Sequence, residues 1–520
     1  MKAKPPVRGR RNRPSAERKL AELKQRLLEI SDLSAAGALL TWDQATYMPQ
    51  CGAPARARQG AMLHRLAHER LVDKAVGRLL DELQPYGESL PADCDAASLI
   101  RVARRDFEKA IRVPAEHVAR ANALGSASYN AWTQARPAND FATMLPFLEQ
   151  SLELSREYSG FFAPYQHVAD PLIDDADEGM TAASVGELFG QLKRELVPLA
   201  QAIFERPAVD DGCLHGRFSE TAQMEFSRRV AAKIGYAFER GRLDLTHHPF
   251  CTKFSGGDVR ITTRVYDDDV SGALFSTLHE AGHALYEQGI NAALESTPLG
   301  SGTSNGVHES QSRLWENVVG RSRGFWFYYY PHLRALFPDQ LGKVSLDTFY
   351  RAINKVARTL IRADADEVTY NLHVMLRFDL ELKLLHGTLR AKDLPEAWRA
   401  SMQENLGVSP GDDRDGCLQD VHWYAGMIGG GFQSYTIGNI LSAQFHAAAV
   451  KAHPEIPREI EAGEFGTLHR WLKDNLYQHG RKFPPNELIA RTAGIMSLQP
   501  YLDYLRAKYS DIYDLQLTAG

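Results

Sequence analysis

LHEAGHAL, residues 278–285, sets two histidines four apart, with a glutamate directly after the first. On a helix, His279 and His283 share one face, and both imidazoles can reach a single cation. Glu280 is rotated about 100° from His279, so it can reach water at that cation without binding the cation itself. The flanks favour a helix over 271–288. Ser271 can cap its start, Asp267 to Asp269 place negative charge before it, and Gly289 stands where it should stop. Leu274, Leu278, Ala281 and Leu285 make an apolar stripe beside the histidines, so the helix can be buried and still present ligands. The plain alternative is two histidines sharing a face for packing. With 18 histidines in 520 residues, chance yields only about 0.04 occurrences of H-E-x-x-H.

A catalytic zinc needs a third protein ligand and one open position for water. The best source is HESQSRLWEN, 308–317, where Glu309 follows His283 by 26 residues, room for a loop and a return helix. The loop between is rich in Gly, Ser and Thr, as active-site rims often are. His308, Glu295 and Glu316 are rival ligands. Glu316 shares the face of Glu309 and reads better as a partner behind the ligands or an exposed helix charge.

Around this motif the chain reads as mainly α. Residues 15–33 place Leu20, Leu23, Leu27 and Ile30 at helical spacing, and similar rhythms run through 97–125, 140–163, 181–206, 218–238 and 344–390. Pro, Gly and Asp clusters mark loops near 84–93, 163–179, 206–216 and 407–416, none long enough for an interdomain linker. The best strand evidence lies within 243–266, where DVRITTRVY alternates and is rich in β-branched residues. The expected architecture is one large helical body, residues 20–520, with a small sheet near 243–266.

Residues 1–19 carry eight Lys or Arg against one acid, with prolines at 5, 6 and 14, and read as a disordered basic tail. A nucleic-acid arm or an organelle-targeting peptide is the alternative for this stretch. It has no apolar core, so it is not a secretory signal. The formal net charge of −5 gives no global field for nucleic acid, and no run of about 18 apolar residues suits a membrane span. Five scattered cysteines without a C-x-x-C fit a reducing cytoplasm.

Several ordered motifs then resemble one family, the metallocarboxypeptidases typified by thermostable carboxypeptidase Taq. WDQATYMP (42–49), HPF (248–250), DVRIT (258–262), HEAGH (279–283), HESQS (308–312), IRADAD (361–366) and GCLQDVHW (416–423) carry the resemblance, which runs from about residue 20 to the end. It implies a mostly helical homodimer with a deep groove holding the metal. It also implies removal of single residues from peptide C-termini with broad specificity, commonly sparing proline. By position, the ligands would be His279, His283 and Glu309, the general base Glu280, and the arginine for the substrate carboxylate Arg362. One stretch departs from the family's G-Y-F-P-[ST]-Y: YAGMIGGGFQSYTIGN, 424–439, is one residue longer, with Gly in the first tyrosine's place and Gln433 for proline. Tyr435 matches the second tyrosine, and whether Tyr424 replaces the first is open. The glycines at 429–431 read as a pliable turn, since no strand–loop–lysine context suggests a phosphate cradle.

The chemistry expected is hydrolysis by a water whose pKa zinc lowers towards about 7, with Glu280 taking its proton and passing it to the leaving amine. His422 and Tyr435 are candidates to hold the oxyanion, against plain roles as a satisfied core histidine and a packed tyrosine. A terminal carboxylate calls for a guanidinium: Arg362 first, Arg260 second, unless they only pair with Asp364, Asp366 or Asp258. Strand 258–266 could also take an extended peptide edge to edge. The expected cofactor is one divalent metal per chain, zinc before cobalt. Expected substrates are peptides with a free C-terminus. A dipeptidyl carboxypeptidase or oligoendopeptidase of related helical fold is the main alternative. A non-enzymatic helical binding protein with a structural metal is the third, which the intact Glu280 argues against.

Overall fold

The computed structural model describes residues 15–516. Most of the expected basic tail, 1–14, lies outside the described residues. The remainder needs a correction: Ala16 to Lys19 form the first turn of a long helix, Ala16–Thr46, whose start is capped by the Ser15 hydroxyl accepting from the Arg18 N–H.

Among the described residues the regular structure is almost all helical, with one three-stranded sheet. The strands are β1 (Leu243–Leu245), β2 (Cys251–Ser255) and β3 (Asp258–Thr263). β3 pairs parallel with β1 and antiparallel with β2, so it is the middle strand. Both its edges are therefore filled, and the expected docking of a peptide along 258–266 does not hold for β3. Val259 and Ile261 point inward from β3 and pack in the same core as Leu274, Leu278, Ala281 and Leu285, the apolar stripe read from the sequence.

Two large cores and a small one organise the helices. One surrounds helix Thr369–His386 and holds Phe189, Phe378, Trp398 and Trp423. The second surrounds helix Gly272–Gly289, which carries the H-E-x-x-H motif. Helix Gln433–Ala452 lies between them: Ile437, Leu441, Phe445 and Ala449, spaced by four, face the second core, while Ile440 and Ala443 face the first. The third core lies under the N-terminal helices, around Leu23, Leu80 and Leu99.

The expected helical stretch 344–390 is broken. Helices Leu346–Ile353 and Thr369–His386 are separated by an irregular segment with a single short turn at Arg362–Asp364. Asp366 starts the second helix afresh: its carboxylate accepts from the Val368 and Thr369 N–H groups and from the Thr369 hydroxyl. Likewise 97–125 divides before Pro114, into Asp95–Arg112 and Ala115–Ala135, as the restriction on a residue preceding proline requires.

Candidate active site

The motif helix Gly272–Gly289 begins where expected, with Ser271 at its N-cap position, but the Ser271 hydroxyl makes no capping bond. Asp269 does that instead: its Oδ1 accepts from the N–H groups of Ser271 and Gly272 and from the Ser271 hydroxyl. Helix Asn305–Arg313 lies against it, started by the Ser304 hydroxyl accepting from the Val307 N–H and by the Asp177 carboxylate accepting from the Gly306 N–H. Two glycines let this second helix sit close to its neighbours. A Cβ on Gly282 would stand 2.4 Å from the Gln311 carbonyl oxygen, and one on Gly438 would stand 2.5 Å from Glu309 Cγ. The helix bearing Glu309 is thus wedged between the motif helix and helix Gln433–Ala452.

That wedge brings the expected ligands together. Glu309 Oε2 lies 3.6 Å from His279 Nε2 and 3.4 Å from His283 Nε2. The three potential ligand atoms all lie within 4.8 Å of one another. Bonds of about 2.0–2.2 Å in tetrahedral array separate ligand atoms by about 3.3–3.6 Å, so this donor set fits zinc or a similar divalent ion. What stands behind the ligands fits as well. His279 Nδ1 meets Glu316 Oε2 at 2.9 Å, and His283 Nδ1 meets His308 Nδ1 at 2.5 Å. Arg313 Nε donates to Glu309 Oε1 at 2.7 Å, and the Ser312 hydroxyl donates to Oε2 at 3.1 Å. Of the rival ligands, Glu316 and His308 therefore stand behind the imidazoles, and Glu295 is elsewhere, accepting from the Gly256 N–H. Glu316 reaches His279 from a π-helical turn, Leu314–Val319, that extends the Glu309 helix.

Electrostatics favour the same reading. Burial raises the Glu309 pKa, but the Arg313 guanidinium and the two imidazoles outweigh it and hold the carboxyl well below its usual range. Burial pushes His283 down to about 4, leaving a neutral imidazole suited to coordination. Burial would also lower His279, but Glu309 and then Glu316 raise it instead. Glu280 is buried, and its carboxylate has no hydrogen-bonding partner among the described residues. Burial pushes its pKa up to about 7, opposed by His279 and reinforced by Glu309 and Glu316.

A second cluster forms around Asp420. Arg362 Nε donates to Asp420 Oδ2 at 2.7 Å, and the fully buried Arg377 donates to the same oxygen at 3.0 Å. Asp420 Oδ1 also meets His422 Nδ1, and His422 Nε2 meets the Tyr435 hydroxyl at 3.0 Å. Arg362, His422 and Tyr435 thus belong to one network. Arg362 takes neither of its expected partners: Asp366 is a helix cap and Asp364 forms no ion pair among the described residues. Tyr370 joins this network to the candidate ligands, its hydroxyl accepting from Arg362 Nη1 at 3.0 Å while Arg313 lies 4.5 Å above its ring. His248 of HPF stands near as well: its pKa is lowered by burial first, then by His422 and Arg362.

Arg260 lies outside this network. It makes a double hydrogen bond with Asp258, 2.8 Å for each, and stacks 4.3 Å over the Trp42 ring. Tyr424 does not take the place of the absent tyrosine, because it is fully buried with its hydroxyl on the Cys417 carbonyl at 3.1 Å. Gln433 is buried too, its amide donating to Asp177 and to the Gly430 carbonyl. Residues 429 and 430 have φ of +106° and +79°, the turn expected of that run. Sequence reasoning missed Asp420, Arg377 and Tyr370. The QD of GCLQDVHW was a signal for the first, while Tyr370 and Arg377 sit unmarked in a helical stretch.

Comparison with known proteins agrees with this geometry. The family model described as Carboxypeptidase Taq (M32) metallopeptidase matches residues 22–509. Thermostable carboxypeptidase 1 of Thermus thermophilus is 41% identical over 500 residues, which cover 93% of this chain and 97% of the relative. Carboxypeptidase 1 of Bacillus subtilis is 35% identical, over 94% of this chain and 97% of its own. The crystal structure of an M32 carboxypeptidase from Deinococcus radiodurans superposes with a TM-score of 0.93 at 50% identity, covering 96% of this chain and all of that one. The chain belongs to the carboxypeptidase Taq (M32) family of metallopeptidases.

Proposed function

We propose that this metallocarboxypeptidase removes single residues from peptide C-termini with broad specificity, using zinc held by His279, His283 and Glu309. The observation that carries the reading is the pair of adjoining clusters: a three-ligand site beside an unshared carboxylate, Glu280, and a guanidinium pair on Asp420. A divalent ion held there, zinc or cobalt, would supply Lewis acidity for the activation of water. Glu280 accepts the proton of the attacking water and returns it to the leaving amine, a task suited to a carboxyl near pH 7.

Arg362 takes the terminal carboxylate. Arg377, lowered by burial to about 10, is still charged at neutral pH, so two guanidinium charges share the single charge of Asp420. One positive charge is left over, and Arg362, with 12% of its side chain exposed, is the member able to present it. His422 is held at Nδ1 by Asp420 and at Nε2 by Tyr435, and this pair supplies the donor for the developing oxyanion. Arg260, engaged by Asp258, is left a minor role at the rim. The family resemblance supports a homodimer, and five free cysteines are consistent with a reducing cytoplasm. No described helix is long and apolar enough to cross a membrane.

The test is a digestion time course on one peptide and its C-terminal amide, read by mass, with and without a chelator. Expected is a ladder losing one residue at a time from the free acid, a slow amide, loss of activity on chelation and recovery with Zn²⁺ or Co²⁺. Internal cuts, dipeptide release, equal rates on the amide or full activity of metal-free protein would overturn it.

A further inference from the structure

We propose that His308 is a positioning residue for His283, fixing the tautomer in which Nε2 is bare, and that Glu287 and Lys253 hold His308 in turn. The inference rests on the metal site proposed above. His283 Nδ1 and His308 Nδ1 face each other at 2.5 Å, so one of them must donate and the other accept. His283 Nε2 points at Glu309 Oε2 from 3.4 Å and must be bare to take a cation. The hydrogen of His283 therefore sits on Nδ1, and His308 Nδ1 accepts it. The hydrogen of His308 is then on Nε2, where Glu287 Oε1 waits at 2.9 Å. Every nitrogen in the row has one consistent role.

The far end of the row is anchored. Glu287 is 7% exposed; its Oε2 accepts from Lys253 Nζ at 3.0 Å and its Oε1 also accepts from the Gly302 N–H at 3.1 Å. Lys253 lies on β2 and donates again to the Gly300 carbonyl at 2.7 Å. Glu287 follows His283 by one helical turn, so the motif helix supplies both ends of the row while His308 is inserted from the neighbouring helix. The two ligand histidines are thus backed differently: His279 by a carboxylate directly, His283 by a carboxylate through a second imidazole.

The experiment measures Zn²⁺ affinity by chelator competition, together with melting of the metal-free protein, for wild type, His308→Leu and His308→Asn. Leucine removes the acceptor, whereas the asparagine carbonyl can stand near the lost Nδ1. Expected is a roughly 10- to 100-fold weaker affinity for His308→Leu, substantial recovery in His308→Asn, and little change in metal-free melting. Affinities within twofold of wild type in both variants would overturn the proposal. So would equal losses in both that track a fall in metal-free melting, since that marks packing alone. Should His308→Leu fail to fold, Glu287→Gln decides, because it keeps both rings while weakening the last acceptor and its pairing with Lys253; unchanged affinity there also overturns the relay. A wild type that takes up no Zn²⁺ would bring down the metal site itself, an outcome separate from these.

Discussion

Gly438 and Glu309 meet so closely that a Cβ on the glycine would stand 2.5 Å from the glutamate's Cγ and 2.7 Å from its Cβ. The proposed metal ligand is therefore held in place by the absence of a side chain on a neighbouring helix. Gly438→Ala should force Glu309 or its helix to move, costing about 1–3 kcal/mol, and should loosen the metal. Melting temperature and zinc retained after dialysis against a chelator check this. No change in either would show that the contact relaxes without consequence.

Glu280→Gln should keep the metal and lose hydrolysis. The amide matches the carboxylate in shape, but it cannot take a proton, and no neighbour among the described residues replaces it. General-base catalysis is typically worth 10²- to 10⁴-fold, roughly 3–5 kcal/mol of barrier. Metal content and kcat should be measured on the same sample; joint loss would mean that Glu280 is a ligand.

Arg362→Ala should separate recognition of the chain end from chemistry. A charge-assisted contact in a partly dried site is worth about 2–4 kcal/mol, so kcat/KM should fall roughly 30- to 1000-fold. Asp420 keeps Arg377, so the network should lose its spare charge without leaving a carboxylate unpaired. The readout is the ratio of rates on a free-acid peptide and its amide, which should move towards one. An unchanged ratio would leave Arg362 as a structural partner of Asp420.

Glu381 makes a pH prediction. It is buried, receives the Trp423 indole N–H on Oε1 at 2.7 Å, and burial pushes its pKa up to about 8. The folded state then holds a proton that the unfolded chain gives up near pH 4.5. This contribution to stability is complete below about pH 4.5 and is lost as pH rises through about 8, at up to roughly 1.4 kcal/mol per pH unit. Glu381→Gln keeps an acceptor for Trp423 but has no proton to lose. Its melting temperature should fall less than that of wild type between pH 5 and 9, and parallel curves would rule the effect out.

Some of this was legible in the sequence and some was not. The motif helix was, because ligand spacing and apolar period coincide there over about three turns. Glu309 stands out only as the best of four candidates, because the loop between it and His283 has no period to fix a register; its selection needs its own contact with Gly438 and that of its helix with Gly282. The irregular segment before Thr369 carries no sequence mark, because 354–368 contains neither glycine nor proline, and the signal that ends it is a capping carboxylate, Asp366. Arg362 looked tied to Asp364 or Asp366, its neighbours in sequence, when its partner lies 58 residues away. The alternation in DVRIT marked β3, but its central place depended on β1, three residues long and too short to leave a pattern.

The widened turn at Leu314–Val319 amounts to one residue spliced into the helix that carries the candidate ligand Glu309 and the supporting Glu316. A helix advances about 100° per residue. Chain length ahead of Glu316 is thus a coordinate of the metal site: deleting Leu314 or Trp315 would swing Glu316 away from His279, however well the remaining side chains were matched. In a lineage of such enzymes, substitutions at Leu314 and Trp315 would be filtered by packing, whereas single-residue gaps there would be filtered by chemistry.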